Sequence, residues 1–421
     1  MKKVILLVVA LLSNSWIWAE MRLPALFSDG MVLQQKAELP VWGWGTPGDP
    51  VEVRFGRQVQ TTKVDADGKW MVKLKPETAS TKPAKMTIRV GAQTQEITNI
   101  LVGEVWICSG QSNMDFTFGR ICSIALRTPE NKPIVEYMKK ELNSASDSLF
   151  RQIAVPHQLS VREGKDDFKG QWIESSPENN GAFTAVGYFF GRELRKELNV
   201  PVGLIKSAWG GTRVEPWVPA QTYRQTPTLQ AYYETEMANL DKQLKKWNSE
   251  KANADYKVAL AKWKKKTEGM KKKPRNPRRA SNPENNKQLP TCLYNGMICP
   301  LVPYAMKGAI WYQGESNERY SKNEYAERFM ATIKGWRTAW KQGDFPFYYV
   351  QLASYRSPRT EPAESPWAFI CNQQRLTLKL KNTGMAVIND IGEARDIHPK
   401  NKVDTGKRLA QIGRASCRER V

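Results

Sequence analysis

The 421-residue chain reads as α/β: a parallel sheet covered by helices on both faces, preceded by a small antiparallel β-sandwich. Three observations predict this. Residues 21 to about 100 hold short runs in which apolar and polar side chains alternate, with turn residues between them, the pattern of half-buried antiparallel strands. From residue 101 strand-like and helix-like segments alternate, which implies a parallel sheet with helical crossovers. Three polar or glycine-rich spots follow directly after predicted strands, at the edge where such sheets place their ligands.

Taken in order, Lys2 and Lys3 precede the apolar run Val4 to Leu12. This is the pattern of an export signal, with cleavage expected after Ala19, and the run is too short to span a bilayer. Residues 1–19 are therefore expected to be a signal peptide and the mature protein to be secreted or periplasmic, with no integral membrane span. In residues 20–100, Val51 to Phe55, Gly68 to Leu74 and Met86 to Val90 each alternate. Trp42 and Trp44 read as packing residues at a domain junction. The second domain is expected over 101–411. It has strands at Val102 to Cys108, Val202 to Ser207, Gly308 to Tyr312, Phe347 to Leu352 and Met385 to Asn389. A helix is expected over Val186 to Leu198, capped by Thr184. Another spans Ser321 to Trp340, opened by a capping box of Ser321 and Glu324, with Tyr325, Phe329, Ile333, Trp336 and Trp340 on one stripe.

The net charge of +22 is concentrated: residues 241–280 carry 15 Lys and Arg against 4 Asp and Glu, a net +11. The stretch from about 240 to 290 reads as a basic insertion, helical first and loop-like after, its charge facing solvent. No zinc-finger, RNP or helix-turn-helix pattern accompanies it, so nucleic acid is not an expected partner. The six cysteines are scattered without metal-ligand spacing, and neither a metal nor another cofactor is expected. Cys292 and Cys299 are the pair closest in sequence for a disulfide in an oxidising compartment. The last ten residues, Ile412 to Val421, match a translated sequencing adapter, and the natural chain is expected to run on differently from about residue 411.

The candidate chemistry is that of a serine hydrolase. A hydroxyl is a poor nucleophile until an imidazole takes its proton and a carboxylate holds that imidazole. Ser112 lies in Gly110-Gln-Ser-Asn-Met114, just past a strand; its alternative is a helix-cap serine. The string is not Gly-x-Ser-x-Gly, which disfavours an α/β-hydrolase elbow. With only two histidines in the chain, the base is His398 or His157. His398 has Asp396 two positions earlier, with Asp390 as a fallback. His157 has no acid near it in sequence and reads as structural. Oxyanion donors are sought in the Ser112 N–H, the N–H of Gly210 or Gly211, and the Gln313 amide; Gly210 and Gly211 read equally as a plain tight turn. Glu315 reads as structural or positioning.

Four blocks carry a resemblance: Gly103 to Met114 (GEVWICSGQSNM), Ser207 to Thr212 (SAWGGT), Ile310 to Asn317 (IWYQGESN), and Asp390-Ile-Gly followed by Asp396-Ile-His-Pro399. Together they resemble the sialate O-acetylesterase family of SGNH-type serine esterases. The resemblance implies a flavodoxin-like α/β/α catalytic domain, removal of O-acetyl groups from sialic acids, and Ser112, His398 and Asp396 as nucleophile, base and orienter. Two positions depart from the wider SGNH pattern: Arg395 stands where an aspartate is usual, three before the histidine, and Gln313 stands where an asparagine donor is usual. The expected partner is an O-acetylated carbohydrate. Acetylated xylan is the rival substrate, and a non-catalytic glycan-binding protein the rival class.

Overall fold

The computed structural model describes residues 20–126, 128–320, 323–361 and 363–418. The expected signal peptide and Ser321 of the expected capping box lie outside them. Strands β1 (Val32–Gln34), β2 (Leu39–Trp44), β3 (Pro50–Phe55), β4 (Gln58–Lys63), β5 (Lys69–Leu74) and β6 (Ser80–Val90) build the N-terminal sandwich. β3 pairs antiparallel with β4 and β6, and β2 pairs antiparallel with β5. The alternation is visible in burial: along Lys69–Leu74 every second residue (Trp70, Val72, Leu74) is buried.

β7 (Gln93–Gly110) joins the two halves. Its first part, as far as Gly103, pairs with β6 and β1 of the sandwich, and Glu104 to Gly110 run in the second sheet; every residue from Ile100 to Gly110 is buried. The expected boundary near residue 100 thus falls inside one continuous strand. Strands buried on both faces of a parallel sheet read as near-continuous apolar runs, which is why Val105 to Cys108 lacks alternation.

The second sheet adds β8 (Asp147–Ala154), β9 (Ile173–Ser175), β10 (Val202–Ala208), β11 (Gly308–Tyr312), β12 (Phe347–Val350) and β13 (Thr383–Ala386). Their order is β13-β12-β11-β7-β10-β8-β9, parallel except for the edge strand β9. Helices cover both sides. From β7, Trp106 packs against Phe190 of the helix Ala185–Leu198 on one face; from β11, Trp311 stacks on Phe329 of the helix Tyr325–Trp340 on the other. β7 is flanked by β10 and β11, so the chain winds away from it in both directions. A crevice opens at such a reversal point, at the carboxyl ends of the strands.

The helix expected from Ser321 begins at Tyr325. The basic insertion forms two helices, Pro227–Lys246 and Ser249–Lys266, then irregular chain to a short turn at Pro283–Asn285. The chain's last helix, Lys402–Arg418, lies on the helix Ala185–Leu198, with Gly413 beside Phe190. The five described cysteines are free thiols, Cys292 and Cys299 included.

Candidate active site

Register places three strand ends level: Gly110 pairs with Ala208 of β10 and with Tyr312 of β11. The segments that follow, Ser112, Trp209 to Thr212 and Gln313 to Glu315, therefore emerge on one rim. Gly110 makes this possible. Its φ is +133°, and a Cβ there would lie 2.2 Å from the Tyr312 carbonyl oxygen, a place only glycine fills without strain. The next side chain, Gln111, laces the rim by accepting from the Ser316 N–H at 3.2 Å and the Gln313 amide at 3.3 Å.

Ser112 opens a short helix, Ser112–Asp115, half-buried at the crevice. Its Oγ lies 2.8 Å from Nε2 of His398, within hydrogen-bond range. Three groups fix the loop that delivers His398. Asn113 donates to the Ile397 carbonyl at 3.1 Å and to Glu315 at 2.6 Å, and its oxygen accepts from the Lys402 ammonium at 2.5 Å. Lys400, fully buried, donates to Asp396 Oδ2 at 2.6 Å. Phe116 packs on the imidazole with centroids 4.7 Å apart.

Asp396 serves this loop in two ways. Its Oδ1 accepts the backbone N–H of His398 at 3.0 Å and stands 3.6 Å from the ring Nδ1. That second distance is an ion-pair contact rather than a hydrogen bond. The Asp390 fallback is turned to solvent and paired with Arg408 at 2.6 Å.

Electrostatics follow from burial. Desolvation, and then the Lys402 charge, lower the His398 pKa to about 4, so the imidazole is neutral at ordinary pH. Burial likewise lowers Lys402 to about 7 and raises Glu315, one of whose oxygens has no hydrogen-bond partner. Burial would raise Asp396, but the Lys400 hydrogen bond, the His398 backbone N–H and the nearby positive charge together outweigh it, and the carboxyl stays below its usual range.

The structure brings Ser112, His398, Asp396, Gly210 and Gly211 together and leaves Gln313 beneath them. Gln313 is buried, and its amide nitrogen donates to Thr212 O at 3.1 Å and Asn317 Oδ1 at 2.7 Å as well as to Gln111. Asn317 in turn binds Glu215, which pairs with Arg328. This is a buried scaffold under the rim, and it leaves Gln313 no hydrogen for a substrate oxygen. Gly210 adjoins Ser112, where a Cβ would meet the serine Cβ at 3.3 Å, yet its N–H donates to Asp115 Oδ2 at 3.2 Å. The N–H groups of Ser112 and Gly211 have no protein acceptor among the described residues. His157, which has no acid near it in sequence, gains one in space: Asp115 lies at 3.3 Å, and the His157 ring stacks flat on Trp209 with centroids 4.6 Å apart. Lys206 completes that cluster at 2.9 Å from Asp115. Burial would raise Asp115, but the His157 hydrogen bond and the Lys206 charge bring it down to about 2.

A sequence model described as carbohydrate esterase, sialic acid-specific acetylesterase matches residues 102–265 and 286–413. The chain belongs to this family. The esterase is 29% identical to the sialate O-acetylesterase of Mus musculus, covering 98% of this chain and 76% of that one. To its counterpart in Homo sapiens it is also 29% identical, over 97% and 74%. In three dimensions it is similar to a carbohydrate acetylesterase from Xanthomonas citri, with TM-score 0.73 and 34% identity over 94% of this chain and 75% of that one. The protein is a carboxylic ester hydrolase, a carbohydrate O-acetylesterase.

A base must be neutral to take a proton. With His398 lowered to about 4, kcat/KM is expected to stay level as pH falls from neutrality and to drop only near pH 4. A pH–rate profile whose acid limb has its midpoint at the ordinary histidine value, about 6.5, would contradict the buried, neutral imidazole.

Proposed function

We propose that this esterase removes O-acetyl groups from sialic acids, with Ser112 as nucleophile, His398 as base and Asp396 as the carboxylate that holds the base. Ser112 Oγ attacks the acetyl carbonyl while His398 Nε2 takes its proton. The oxyanion faces the N–H groups of Ser112 and Gly211, the sugar oxygen leaves with the proton from His398, and water activated by the same imidazole frees acetate from Ser112. The 2.8 Å contact between Ser112 and His398 is the observation that carries this chemistry.

The sialic acid reading rests on charge beside it. A cleft of about 520 Å³ touches Gly211 and Ile397 and is lined by Arg213, Arg319, Arg356, Tyr320, Tyr355 and Trp367 among others. Glu318 binds Arg356 at 2.8 Å and faces Arg319 at 3.8 Å. Arg213 leans on Gln288 and lies over the Tyr320 ring, and it meets no carboxylate among the described residues. A guanidinium with open donors in an aromatic-walled cleft suits a sugar that carries a carboxylate. Neutral xylan offers it nothing.

Acetate release from 9-O-acetylated sialic acid, acetylated xylan and a chromogenic acetyl ester tests both parts. Ser112→Ala is expected to lose about 10³-fold or more on every substrate. Arg213→Met is expected to lose about 10–100-fold in kcat/KM on the sialate alone, the worth of a hydrogen bond to a charged group. Full activity in Ser112→Ala would sink the mechanism; faster release from xylan than from sialate would move the substrate to plant polysaccharide.

We also propose that the protein is exported, on the strength of Lys2, Lys3 and the apolar run that follows them. The mature protein is expected to begin at Glu20; an N-terminal sequence that retains residues 1–19 on a cytoplasmic protein would refute it.

A further inference from the structure

The basic insertion returns to the crevice at its far end, and the residues it delivers there grip the glycine turn beside Ser112. The Lys287 ammonium donates to the Gly210 carbonyl at 2.5 Å, and the Gln288 amide donates to the Gly211 carbonyl at 2.7 Å. Gln288 is itself fixed: its side-chain oxygen accepts the Arg213 N–H at 3.0 Å, and its own N–H donates to Asn286 Oδ1 at 3.0 Å. Lys287 is half-buried, its ammonium over the Trp209 ring at 5.4 Å, and Trp209 is backed by His157. From the opposite side Asp115, itself held by Lys206 and His157, takes the Gly210 N–H.

Both carbonyls of the turn and one of its two N–H groups are therefore engaged by protein. The one left over is the Gly211 N–H. In a trans peptide the carbonyl and the following N–H point in opposite directions. A carbonyl of Gly210 held toward Lys287 turns the Gly211 N–H to the other side of the turn. Gly211, at φ +68°, is a residue that populates other backbone conformations about as readily, so the clamp is what selects this orientation of the peptide. An ammonium on the carbonyl also polarises the peptide and strengthens its N–H as a donor.

We propose that Lys287 is a positioning residue for the esterase reaction: it orients and polarises the Gly210–Gly211 peptide so that the Gly211 N–H faces the oxyanion, with Gln288 holding the next carbonyl. This rests on the Ser112 mechanism above. It gives the insertion a part in the chemistry, through residues that begin just where the family match resumes at 286.

The test measures kcat and KM separately, on the full chain, with a neutral chromogenic acetyl ester and with 9-O-acetylated sialic acid. Lys287→Met is expected to lower kcat about 10–100-fold on both substrates with KM little changed, approaching the loss of one oxyanion donor. Added ethylamine is expected to restore part of the kcat of Lys287→Ala. Thermal unfolding checks that each variant is folded; if Lys287→Met is not, Lys287→Gln is read in the same way. Unchanged kcat on the neutral ester in a folded variant overturns the proposal. So does a rise in KM confined to the sialate, which would make Lys287 a substrate contact instead. An active Ser112→Ala, by contrast, would bring down the mechanism itself, so the two failures are told apart.

Discussion

His398 reaches Ser112 from 286 residues away because two buried ammonium groups hold its loop. Lys400 binds Asp396 and Lys402 binds Asn113, the neighbour of Ser112. A buried charge is costly unless it is paired and hydrogen-bonded, and removing one member of a buried pair typically costs about 3–5 kcal/mol. The placement observed is one in which Asp396, Ile397 and Asn113 all meet their partners. The imidazole is positioned through its own backbone as much as through its ring: the Asp396 carboxylate takes the His398 N–H at hydrogen-bond range while its distance to Nδ1 is longer.

The same charges set the chemistry. A buried imidazole beside Lys402 is a weak base, neutral over a wide pH range. As the proposed base it would be ready to accept a proton above about pH 4, but would pull on the serine proton less strongly than an ordinary histidine. An oxyanion site that is well organised before substrate arrives compensates for a weak base. The glycine turn beside Ser112 fits that demand, since its N–H at Gly210 is held by Asp115 and its two carbonyls by the end of the insertion.

Much of this was legible in the residues. The strand Gly308–Tyr312 matches its expected bounds, Val202 to Ser207 runs one residue further, and the rim formed by Ser112, Gly210 and Gln313 follows from three strands that end level. Alternation and apolar runs report burial directly, and burial is what makes a strand. Less visible were contacts between distant segments. Asp115 and His157 are 42 residues apart and meet only because β7 and β8 both flank β10. Gln313 looked like a donor because it follows a strand end, but Asn317, Thr212 and Gln111 surround its amide. Nothing local marks an amide as satisfied. Nothing in the sequence marks Lys400 and Lys402 as buried, because lysine is normally exposed; their burial depends on partners at Asp396 and Asn113 that only the fold supplies.

The account stands on Ser112 carrying the acetyl group between the two halves of the reaction. The most direct measurement is mass spectrometry of the protein quenched by acid during turnover of an activated acetyl ester, with the modified peptide sequenced. One acetyl group on Ser112, absent once substrate is exhausted, is the predicted result. Steady turnover with no acetylated peptide, or with the acetyl group on a different residue, would contradict it.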